Sequence, residues 1–136
     1  MSRRVYPTPQ VLAALKVVFG AVVEQVVIIE NSWIARFHGR VTATTRRRRI
    51  YLSGTGAAFF DDPELMLHEY CHVVLQWETG NLTALRYLIE SARNHYWDNC
   101  FEVEARRFTH ENLRHFLELL GCGGASGFAG TVENDF

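Results

Sequence analysis

Residues 68–72 read His68-Glu69-Tyr70-Cys71-His72. Three of these five side chains can do metal and proton chemistry, and their spacing suits a helix. Histidines at i and i+4 share one helix face, with Cβ atoms about 5–6 Å apart. Both rings can therefore reach one tetrahedral metal such as zinc. Glu69 follows the first histidine, where it can meet a water on the metal rather than the metal itself. The flanks, Leu65-Met66-Leu67 and Val73-Val74-Leu75, are apolar on nearly every side, which marks a buried helix. Two imidazoles and a carboxylate inside such a helix are costly without partners, and a metal with its water removes that cost. A pair of hydrogen-bonded core histidines is the plainer alternative.

Catalytic zinc takes three protein ligands and keeps one position for water. The third should come from downstream, where Phe101-Glu102-Val103-Glu104-Ala105-Arg106 offers two carboxylates. Two positions apart on a helix, they point about 200° away from each other, so only one can face a metal. Cys100 is a rival donor. Cys71, at i+3 from His68, is read as a small buried hydrophobe.

The elements that must position these groups are legible in outline. A chain of 136 residues, 48% hydrophobic and 21% charged, fits one domain with a single core. Thr8-Pro9 predicts a helix start, Val11 to Phe19 keep a helical period, and Gly20 ends it. Strands are expected over Val22–Glu30, Trp33–His38, Val41–Thr45 and Ile50–Leu52, with turns at Asn31-Ser32 and His38-Gly39 and a loop over residues 53–56. Asp62-Pro63-Glu64 is an N-cap, a first-turn proline and an acidic first turn, opening a helix that carries the motif to about Trp77. A second helix is expected over Thr83–Arg93, with Leu85, Leu88 and Ile89 facing inward. Asn94 to Cys100 reads as irregular, and a last helix runs from Phe101 to Leu120 with Gly121 as its cap. The expected fold is α+β: a small antiparallel sheet packed on the motif helix, with two to three further helices. Residues 1–120 form one domain, and 121–136 are a Gly-rich, mobile tail.

The pairing of His68-Glu69-x-x-His72 with Glu102-x-x-Ala105 resembles the gluzincin metallopeptidases, and is similar to small zincin-like domains associated with contractile injection systems. The resemblance covers roughly residues 45–110. It implies a zinc-dependent peptidase, with His68, His72 and Glu102 as metal ligands and Glu69 as general base. It favours Glu102 over Glu104, since Ala105 then allows close helix packing. His95 and Tyr96 become candidates to stabilise the transition state, with loop packing as their plainer role. The strand Ile50-Tyr51-Leu52 becomes a candidate to pair with an extended peptide or protein substrate. Arg106 stands where many relatives carry an aspartate that bonds a ligand histidine. Asp98 or a backbone carbonyl is the expected substitute.

Other features say less. Arg46 to Arg49 form a basic run that could bind nucleic acid, but the net charge of -1 and the lack of interleaved aromatics favour a solvated hairpin end. His110 and His115 read as surface residues, and Trp33, Trp77 and Trp97 as core or cleft walls. Three cysteines give no disulfide framework. No signal peptide or membrane span is read, so the expected location is cytoplasmic, with export by a dedicated apparatus as the alternative. Two other functions stay open: a catalytically silent zincin scaffold or adaptor, and a nucleic-acid or regulatory module using the arginine run.

Overall fold

The computed structural model describes residues 1–32, 43–80, 83–94 and 99–124. Helix α1 (Pro9–Phe19) starts as predicted: the Thr8 hydroxyl accepts the Val11 N–H at 3.2 Å, and Pro9 opens the first turn. Gly20, at φ +93°, ends it. A 3-10 turn over Ala21–Gln25 then takes the first part of the expected strand, leaving β2 as Val27–Glu30.

Strand β1 (Arg3–Val5) precedes α1 and is not predicted by the sequence. Strands β3 (Ala43–Arg46) and β4 (Arg49–Leu52) flank the turn Arg47-Arg48. The sheet order is β1-β2-β4-β3. The α+β class holds, but the sheet is mixed rather than antiparallel throughout. Both outer pairings are antiparallel, while β2 runs parallel to β4, with Ile28 beside Ile50. The hairpin returns β4 into the slot between β3 and β2, where it runs with β2. Local turn signals predict the hairpin; they carry nothing about this non-local pairing. The expected strand Trp33–His38 and its turn lie outside the described residues.

After β4 comes a second unpredicted element, α2 (Gly56–Phe60), capped by the Thr55 hydroxyl on Ala58 N–H. Gly56 donates its N–H to Glu30 Oε1 at 2.7 Å. A Cβ there would lie 2.8 Å from Val5 Cγ2, so only glycine lets this backbone come so close to β1.

Helix α3 (Pro63–Tyr70) begins where Asp62 Oδ1 accepts Leu65 N–H at 3.0 Å. Its continuation over Cys71–Trp77 is π-helical, with Glu78 N–H bonded five residues back to Val73 O. The length of this helix is as expected; the change of winding at Cys71 is not. Helices α4 (Ala84–Asn94) and α5 (Cys100–Gly124) follow. Ile89 is not inward but half exposed. Tyr87 and Ser91 instead aim at the start of α5, and Ile89, two positions on from Tyr87, is turned away from that side. The predicted cap at Gly121 is also corrected, because α5 runs through it to Gly124. A glycine permits a chain to leave a helix but does not force it, at about 1 kcal/mol if it stays. Residues 125–136 of the expected tail lie outside the described residues.

The core is one cluster. Leu15 of α1, Ile28 and Ile50 of the sheet, Met66, Leu67 and Val73 of the motif helix, and Phe116 of α5 are all buried. The motif helix thus sits between the sheet and α5, which is why its flanks are apolar on all sides. Among the described residues, no helix is long and apolar enough to cross a membrane.

Candidate metal centre

Three elements bring the motif together. Helix α3 carries His68 and Glu69, the π-helical segment carries His72, and the first turn of α5 carries Glu102. His68 Nε2 lies 3.0 Å from Glu102 Oε1 and 3.2 Å from His72 Nε2; His72 Nε2 lies 3.3 Å from the same oxygen. Ligand atoms about 2.0 Å from a tetrahedral zinc stand roughly 3.3 Å apart. The three donor atoms therefore form a triangle of the size such an ion needs, and these residues could hold one. Hydrogen bonding alone also accounts for the two His–Glu contacts, since one carboxylate oxygen can accept from both rings.

The electrostatics agree with this packing. Burial alone would raise the Glu102 carboxyl, but hydrogen bonds from His68, His72 and Tyr87 outweigh it and hold the group far below the usual carboxylate range. Burial alone would lower His72. The hydrogen bond to Glu102, the charges of Glu69 and Glu102, and Gln76 push it up instead, to about 9. Glu69 is buried and, among the described residues, its carboxylate makes no hydrogen bond. Burial raises its pKa, against the pull of His72 and His68.

Of the two acidic candidates, Glu102 is in the cluster and buried; Glu104 is exposed and points elsewhere, accepting a bond from Gln76 at 2.6 Å. Cys100 is exposed and outside the cluster, and Cys71 is buried, its thiol pushed up to about 12 by burial. His95, Tyr96, Trp97 and Asp98 lie outside the described residues, as does Trp33. Trp77 bonds Thr45 Oγ1 at 3.3 Å and ties the helix to β3. His110 and His115 are exposed, as expected. Strand β4 cannot pair with a substrate as expected, because β2 and β3 already occupy both of its edges. In the arginine run, Arg48 is held by Glu78 at 2.9 and 2.8 Å with φ +59°. Arg46, Arg47 and Arg49 are exposed around the hairpin end.

Three residues that the sequence does not single out complete the centre. Tyr87 donates to Glu102 Oε2 at 2.8 Å, which leaves Oε1 alone facing the histidines. Asn99, fully buried, caps α5: its Oδ1 accepts Phe101 N–H at 2.8 Å and its Nδ2 donates to Ser91 Oγ at 2.9 Å. It thereby fixes the turn that carries Glu102 against α4. Gln76 lies 2.6 Å from His72 Nδ1, at the same i+4 spacing that separates the two histidines; that spacing was the available signal. Comparison with protein-family models, with characterised proteins and with solved structures returns no match.

Proposed function

We propose that the chain is a zinc-dependent metallopeptidase. The convergence of His68 Nε2, His72 Nε2 and Glu102 Oε1 within 3.0–3.3 Å carries the reading. His68, His72 and Glu102 would hold the zinc, which would supply a Lewis acid to polarise a carbonyl and acidify a water. Glu69 takes a proton from the attacking water and returns it to the leaving nitrogen. Its raised pKa suits it to both transfers, because a more basic carboxylate is the better acceptor near neutral pH. Tyr87 keeps Glu102 to one oxygen, which preserves room for water and substrate.

One observation favours a second reading, a zinc-binding scaffold without catalysis. The side chains of His72 and Glu102 are 5% and 6% exposed, and that of His68 is 19% exposed. A peptide has little open surface to reach.

The purified chain should take up one zinc, and His68→Ala should abolish uptake. Glu69→Gln should keep the metal and lose cleavage of unfolded casein. A chain that takes up no zinc sinks both readings. Zinc uptake with no cleavage of a broad peptide library leaves only the scaffold.

A further inference from the structure

A histidine that ligates through one nitrogen carries N–H on the other, and a partner for that N–H fixes the tautomer and the ring; for His72 the nitrogen to be held is Nδ1. The aspartate expected for this task is Arg106 here. Gln76 is in place instead. Its side chain is completely buried, and its Oε1 lies 2.6 Å from His72 Nδ1. Which end of an amide is oxygen must be decided from its neighbours, and here they decide it. The other end of the amide meets Phe101 O at 3.0 Å and a Glu104 carboxylate oxygen at 2.6 Å. Both are acceptors only, so the nitrogen must face them. The oxygen then faces His72, and His72 must carry its proton on Nδ1.

We infer that Gln76, aligned by Phe101 O and Glu104, is the positioning residue that fixes His72 with its Nε2 lone pair toward the metal. The inference rests on the zinc reading above. It assigns the missing aspartate's task to a neutral amide, with the carboxylate one bond further out at Glu104. Glu104, the losing candidate for third ligand, thereby has a part in the same centre. It is a polar end-stop that keeps the amide from flipping.

The test measures zinc affinity by competition with a chromophoric chelator, and reads the His72 ring by long-range proton–nitrogen NMR of the zinc-loaded protein. Gln76→Leu removes both hydrogen-bonding ends of the amide. It should weaken zinc binding roughly 10–100-fold and abolish the protected Nδ1–H signal. Glu104→Ala, at an exposed position, should weaken it only a few-fold, since Phe101 O still aligns the amide. Gln76→Glu should also bind poorly, because its carboxylate meets that of Glu104. Adding Glu104→Gln to it should restore part of the binding, as the amide introduced at 104 donates to the carboxylate introduced at 76 while Phe101 O still opposes it. A residue that only filled space would show no such rescue.

If wild type binds zinc and Gln76→Leu binds it equally well with the Nδ1–H signal intact, this inference alone is overturned. Absence of rescue in the folded double variant overturns it too. If wild type binds no zinc, the metal reading falls and takes this one with it. Should Gln76→Leu fail to fold, Glu104→Ala and the double variant decide.

Discussion

At the scale of single residues, the site is a contest between burial and pairing, and His72 shows the outcome. Without a metal its folded pKa is about 9 against an ordinary 6.5. A raised pKa gives stability that is fully present below about 6.5 and is lost as pH climbs through about 9. The metal-free protein should therefore unfold at lower urea concentration at pH 10 than at pH 7. His72→Gln should remove that part of the slope; a variant as pH-sensitive as wild type would refute the assignment. Glu102 was favoured over Glu104 only with the help of the gluzincin resemblance, whereas His68, Glu69 and His72 were legible in the sequence because helical spacing places them. Tyr87 and Asn99 were not, because their importance comes from which helix end they touch, and no local pattern encodes that. Gln76 was half legible: its spacing from His72 is helical, but an amide only becomes informative once its second set of neighbours is known.

At the scale of elements, each helix that starts well is announced by its cap. Asp62 accepts Leu65 N–H and sits one residue before Pro63, so the motif helix begins where its sequence says. Asp62→Ala should cost about 1 kcal/mol in urea unfolding, with zinc stoichiometry unchanged. A loss of metal in that variant would mean that the helix start, not only its stability, fixes the histidines. Thr8 and Thr55 play the same part for α1 and α2, yet α2 went unread because five residues are too few to show a period. Strand β1 was missed for a related reason, since three residues that pair with β2 carry no alternation to recognise. The parallel step between β2 and β4 was missed because it joins segments far apart in the chain, which no local pattern encodes.

For the molecule as a whole, a metal at this centre would join two places far apart in the chain. His72 and Glu102 are 30 residues apart in sequence, and α5 runs on from Glu102 to the buried Phe116. Binding that favours only the folded state stabilises all of it, by about 2.7 kcal/mol at a free metal concentration a hundred times Kd. Thermal unfolding should accordingly shift upward with added zinc and back down with a chelator. In His68→Ala neither addition should move it; an equal response there would place the effect at another site.

The uneven exposure of the three donor side chains has a kinetic side. Among the described residues, His68 is the one donor with appreciable contact with solvent, at 19% against 5–6% for its partners. An ion reaching the triangle would meet that imidazole first. Turning that side chain on α3 would open the way without moving a whole element.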